Sequence, residues 1–296
     1  MKPIACVSGA TLETLRQRFG AEEAAAAGVT HDAGAIVFAD RAALDTLDST
    51  FPGLIIGVCA DPAEALRWIE TYPWVAHVVS ESTFESEWSS KFLDRVISSF
   101  ESRKRLHIFE ELSEELVGRK QPLTRFSQCE EGIARMATYL TEHDIGAAEV
   151  ELLARFASEL LATSFYQGPL LAGAVSRPLA RDADVELPPD SPCELAYGCT
   201  ESLAVLRVRD PFGVLPRTHV ARVSSHFAEA SLVSVSVASH HHTDVLVALP
   251  RQRGERLPFG FHVFYKENRT SRFWRRSSRD NEHSFAATIT TTETVL

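Results

Sequence analysis

Apolar residues along this chain fall into short runs, separated by stretches whose apolar positions recur at helical spacing. Pro3 to Ser8, Ala35 to Ala39, Leu54 to Cys59 and Val75 to Val79 are four such runs of strand length. They are almost continuously apolar, which suits strands buried on both faces. Between them the spacing predicts helices over Leu12 to Ala27, with Thr11 as N-cap, and over Arg41 to Leu47. Another starts at Asp61-Pro62, with Asp as cap and Pro in the first turn, and runs to about Glu70. A long helical pattern extends from Glu85 to about Val117. Strands alternating with helices predict a parallel sheet covered on both faces.

Beyond residue 117 the order changes. Gly118 to Gln128 mixes Gly, Pro and basic residues and reads as a linker over 118–129. Two helices are expected over Glu130 to His143 and Ala147 to Tyr166, broken at Asp144-Ile145-Gly146. A proline-rich loop follows. Cys193 to Gly198 with Ser202 to Val208, and Leu232 to Ala238 with Asp244 to Leu249, then read as two strand pairs; Phe259 to Tyr265 is a last strand. Helices first and strands afterwards predict an α/β sandwich over residues 130–265. From Lys266 to Leu296, crowded arginines give way to Ser and Thr, and a disordered tail is expected. The whole is read as α/β: a parallel α/β domain over 1–117, then an α/β-sandwich domain.

Composition narrows the functional classes. A formal net charge of −10 disfavours a general nucleic-acid binder, since phosphate contacts need concentrated Lys and Arg. The five cysteines are scattered without a Cys-x-x-Cys spacing, which predicts buried thiols in a reducing compartment. The first residues carry too short an apolar run for a signal peptide, and no run approaches membrane-spanning length. The expectation is a cytoplasmic protein with no membrane contact.

The order of elements in residues 1–117 resembles the receiver domain of response regulators. That resemblance implies an acidic pair after the first strand to hold Mg²⁺, an Asp phosphoacceptor after the third, a Ser or Thr after the fourth and a Lys after the fifth. Here Ser8-Gly9-Ala10 replaces the acidic pair, Cys59-Ala60-Asp61 the hydroxyl, and Ser80-Glu81-Ser82 the lysine. Asp40 alone stands at a matching place, and it also reads as the N-cap of the helix from Arg41. Without the metal pair, phosphoryl transfer lacks its main charge neutralisation. The resemblance implies a pseudo-receiver, a docking or dimerising module.

Residues 130–265 resemble the GHKL superfamily, the ATP-binding fold of histidine kinases and anti-sigma-factor kinases. Glu159 matches that family's helix Glu, but Thr163 stands where its metal-holding Asn belongs. Asp210-Pro-Phe-Gly213 partly matches its adenine-binding Asp motif, and Asp210 equally reads as a turn residue closing a strand. Glu159 in turn reads equally as a solvated helix charge. A glycine-rich phosphate loop has no counterpart, because Arg217 to Ser231 contains no glycine. If nucleotide binds, Glu159, Thr163, Asp210 and Gly213 would surround it, with ATP and Mg²⁺ as the implied cofactors.

His240-His241-His242 with Asp244 offers metal-ligand types, but adjacent strand residues point to opposite faces, and an exposed turn is the simpler reading. Together these readings predict a non-catalytic signalling adaptor, a pseudoenzyme without bound metal. It would bind kinases or regulators, with homodimerisation through the first domain or its long helix. The alternative is a GHKL-type ATP-binding kinase or ATPase with an altered nucleotide site.

Overall fold

The computed structural model describes residues 3–29, 32, 34–102, 116–180, 183–224, 232–238, 242–251, 260–265 and 290–292. The protein is α/β. In the first half, β1 (Ile4–Cys6), β2 (Glu22–Glu23), β3 (Ile36–Ala39), β4 (Leu54–Cys59) and β5 (His77–Ser80) lie side by side in the order β2-β1-β3-β4-β5, all parallel. Helices α1 (Gly9–Phe19), α2 (Arg41–Thr46), α3 (Pro62–Thr71) and α4 (Glu87–Ser102) connect and cover them. Strand residues alternate between two cores. Ile36, Phe38, Leu54, Ile56 and Val58 face Leu12 and Leu15 of α1 and Phe92, Leu93 and Val96 of α4. Val37, Ala39, Ile55 and Cys59 face Leu44 of α2 and Trp68 and Ile69 of α3.

Helix α1 stops earlier than the expected Ala27. Gly20 sits at φ 63° and returns its N–H to Arg16 and Leu15, closing the helix, and Glu22–Glu23 then run as the edge strand. The N-cap is Ser8. Thr11 instead donates to Glu81 across 2.6 Å.

The second half extends the same sheet. Strand β6 (Val117–Leu123) is followed by α5 (Gln128–Glu142), α6 (Ala147–Tyr166) and the short α7 (Gly168–Leu171). Then come β7 (Asp184–Glu186), β8 (Cys193–Cys199), β9 (Leu203–Asp210), α8 (Arg217–Ser224), β10 (Leu232–Ala238), β11 (His242–Pro250), β12 (Gly260–Tyr265) and β13 (Thr290–Thr292). The eleven-stranded sheet runs β2-β1-β3-β4-β5-β12-β10-β11-β9-β8-β6. Both expected strand pairs, β8–β9 and β10–β11, are antiparallel. β12 is parallel to β10 and antiparallel to β5, with Gly260 opposite Val79 and His262 opposite His77. The core beneath α2 and α3 therefore continues without a break into the one beneath α5, α6 and α8.

Three expectations on domain layout need correction. Residues 118–129 are no linker: 118–123 lie in β6, an edge strand paired with β8 from Val117↔Cys199 to Leu123↔Cys193, and 128–129 open α5. An edge strand tolerates Pro122, Arg119 and Lys120 because one side of its ladder is unpaired. The long helix expected to reach Val117 cannot do so, since Val117 opens β6; residues 103–115 lie outside the described residues. Of the expected loose tail, Thr290–Thr292 pair antiparallel with β7. The arginines Arg269 to Arg279 lie outside the described residues.

All five cysteines are free and buried. Burial pushes the Cys6 thiol up to about 11 and Cys59 and Cys129 up to about 12, and nearby carboxylates add to each shift. Since thiolate is the reactive form, intact protein at pH 7.5 is expected to resist a thiol reagent and to take up five adducts only in denaturant. Mass spectrometry reads this directly; rapid labelling of the folded chain at Cys59 or Cys129 would contradict the packing. No helix among the described residues is long and apolar enough to cross a membrane.

Candidate functional site

At the carboxyl ends of the parallel strands, the polar groups are committed to one another. Asp40 follows β3 and its Oδ1 accepts the Ala43 N–H at 2.9 Å, capping α2. Ser80 and Ser82 hydroxyls meet at 2.8 Å, and Glu81 accepts from Thr11. Arg41, next to Asp40, reaches across to Glu64 of α3 at 3.3 Å. The cap reading of Asp40 thus has a specific bond, made from a half-buried position.

In the second half, α6 lies across β9, and α8 packs against α6. Glu159 is exposed on α6, whereas Thr163, one turn on, is buried. The Thr163 hydroxyl donates to the Glu159 carbonyl at 2.8 Å. Its Oγ1 also stands 2.6 Å from Nε2 of His219 on α8. With the hydroxyl proton directed at the carbonyl, Nε2–H must be the donor to Oγ1. Burial is the main cause lowering the pKa of His219, followed by Arg222; Glu159 opposes them. Position 163 is therefore joined to α8 rather than open toward a ligand.

Asp210 closes β9 and is fully buried. The turn Asp210-Pro211-Phe212-Gly213-Val214 wraps its carboxyl, with Gly213 at φ 67° and the Val214 N–H donating to Oδ2 at 3.3 Å. Among the described residues, Oδ1 has no hydrogen-bond partner. Gly168, at the start of α7, lies against that oxygen. A Cβ there would stand 3.1 Å from Oδ1 and 2.8 Å from the Phe212 ring, so only glycine lets the chain pass. Burial raises the Asp210 pKa to about 7, opposed by the backbone N–H groups of Val214, Gly213, Phe212 and Leu215. On either side stand Thr243, its register partner on β11, and Cys193, whose thiol donates to the Arg209 carbonyl at 3.1 Å. A buried carboxyl with one unmatched oxygen accepts an N–H donor when ionised and donates when protonated.

The histidine cluster resolves differently. His240 and His241 lie outside the described residues; His242 opens β11 with Nε2 3.4 Å from Asp244 Oδ2. Asp244 is already held by Arg209 through two bonds of 2.7 and 3.0 Å. Arg209 and Arg207 also bracket Glu194, making a charge ladder across β8, β9 and β11. No group of three or more metal-ligand side chains occurs among the described residues.

Sequence reasoning missed Arg217. It is buried at the start of α8, and its guanidinium donates to four carbonyls at the end of α3 and the turn beyond it. These are Ile69, Pro73 and Val75 at 2.8 Å and Tyr72 at 3.2 Å. The positive group thus sits on the negative end of a helix from the other half. No local signal marks it, because its partners lie 142 to 148 residues away for the buried bonds. No family model matches this chain, and none of the curated proteins matches it either.

Proposed function

We propose that this chain is a non-catalytic signalling adaptor that works by binding partner proteins. The reading combines a first half with the strand order 2-1-3-4-5, shared with receivers among other doubly wound folds, and a helix-backed mixed sheet in the region whose sequence resembles the GHKL superfamily. Fold-level likeness alone says little about chemistry, so the weight falls on the side chains. One observation carries the proposal: residues 217–224, where a GHKL enzyme needs a mobile lid and phosphate loop, form a helix clamped by Arg217 onto the other half. Asp40 as a cap and Thr163 bonded to His219 agree with it. Partners of the expected kind are histidine kinases or response regulators, met by a rigid surface spanning both halves. Titration against such proteins, with sizing for self-association, is the direct test; a chain that stays monomeric and binds none of them would sink the proposal.

A second reading has its own support. Among the described residues, Oδ1 of Asp210 is a buried acceptor without a donor, as a residual purine site would present. Calorimetric titration of ATP and ADP, with and without Mg²⁺, separates the two. The adaptor predicts no heat at about 0.1 mM protein, which places any Kd weaker than roughly 1 mM. Binding that needs Mg²⁺ and disappears in Asp210→Ala would instead establish a GHKL-type nucleotide site of altered form.

A further inference from the structure

Among the described residues, β5–β12 is the one hydrogen-bonded strand pair that joins residues 3–102 to the second half. It carries two buried histidines. His77 and His262 are register partners, 5% and 1% exposed. Their rings are tilted by 44° with centroids 5.3 Å apart, and the two Nδ1 atoms stand at 3.1 Å. At that distance one Nδ1 donates and the other accepts, so the rings hold opposite tautomers.

The surroundings suit neutral rings. Phe92 of α4 meets His262 edge-on with centroids 4.9 Å apart. Ile56 of β4 is the register partner of His77 on its far side. Arg217 of α8 is a charged group that bears on His77, and Ser234 of β10 is the register partner of His262. Burial first, then Arg217, lowers the His77 pKa to about 3; burial first, then His77, holds His262 well below its usual value.

We propose that this histidine pair is an acid-sensitive latch, which ties β5 to β12 while both rings are neutral and releases the seam when they are protonated. The geometry allows a single proton on the Nδ1–Nδ1 axis. A second proton there sets two N–H groups against each other, and a further proton on either ring places a full charge in the buried seam, under the field of Arg217 at His77. Once the strands part, each ring returns to a value near 6.5. The closed state is therefore fully favoured above about pH 6.5 and loses ground as pH falls below it. Each ring contributes about a tenfold gain in opening between pH 7.5 and 5.5, so the pair gives roughly a hundredfold gain.

Hydrogen exchange on the full chain tests this, with rates corrected for the intrinsic effect of pH. Protection across 77–80 and 260–265 is expected to fall roughly a hundredfold from pH 7.5 to 5.5, while β3 and β4 hold theirs. In the double variant His77→Leu, His262→Phe, the pH dependence at the seam is expected to vanish. Protection that is flat in the wild type, that falls equally in β3 and β4, or that falls equally in the double variant overturns the latch. Should the double variant fail to fold, imidazole NMR of the wild type decides. Two neutral rings of opposite tautomer in the closed protein at pH 5.5 uphold the proposal; rings that titrate above pH 6 while the seam stays closed defeat it.

Discussion

Arg217→Ala is expected to destabilise the protein by about 3–5 kcal/mol, because it orphans several buried carbonyls at once. The four acceptors belong to Ile69, Tyr72, Pro73 and Val75, and α8 shields them from water. Part of the loss is the favourable placement of a cation at the carboxyl end of α3. Arg217→Lys is expected to recover less than half, since an ammonium has three donors on a flexible stem and lacks the planar fork. Urea unfolding gives the magnitude. Hydrogen exchange gives the place: protection should drop first at residues 69–75 and in α8. A loss below about 1 kcal/mol for the alanine variant would mean that water replaces the guanidinium, and the clamp would carry little of the joint between halves.

Asp210→Asn is expected to stabilise the protein at pH 8 while leaving it nearly unchanged at pH 4. Burial raises the carboxyl from an unfolded value near 3.9 to about 7. A group raised in the native state contributes fully below its unfolded value and loses that contribution as pH climbs through the native one. The stability decline attributable to Asp210 therefore spans about pH 4 to 7, and corresponds to about 4 kcal/mol at most. Asparagine keeps the shape and an acceptor for the Val214 N–H but cannot ionise, so about 2–4 kcal/mol should return at pH 8. Urea midpoints at pH 4, 6 and 8 for both proteins provide the check. Parallel profiles would show that the wild-type carboxyl ionises normally, and that solvent reaches Oδ1. The latch at the seam acts with the opposite sign, through acid, so the two effects separate in a pH series.

Local pattern carried much of the first half. Continuous apolar runs marked β3, β4 and β5 because those strands are covered on both faces, and Pro62 marked the start of α3. The pattern failed where edges and distant partners decide. Glu22–Glu23 form an edge strand with no apolar residue, legible only from its pairing with Ile4 and Ala5. Gly118 and Pro122 look like loop punctuation, yet an edge strand accepts both. Asp210 was legible as a turn residue. Its burial was not, since Gly168, from the distant start of α7, packs against Oδ1 and the Phe212 ring. Thr163 stands out for the amide it lacks, while its partner His219, 56 residues away, carries no local signal. Nothing in the local sequence of β5 or β12 says that one sheet joins them. A strand run between helices and one following a hairpin look alike whether or not they meet.

That join has a consequence for how the chain comes into being. The partners at the seam, His77 and His262, are 185 residues apart. At synthesis rates of about 5–20 residues per second, β5 waits roughly 10 to 40 s on the ribosome before its neighbour exists. Throughout that interval the nascent first half shows a bare strand edge bearing His77, Val78 and Val79, and until Arg217 is made it also shows unfilled carbonyls at the end of α3. Such an edge invites pairing with other chains. Completion of the sheet thus waits on β12, and truncation before residue 260 is expected to yield a fragment that aggregates or stays bound to chaperones.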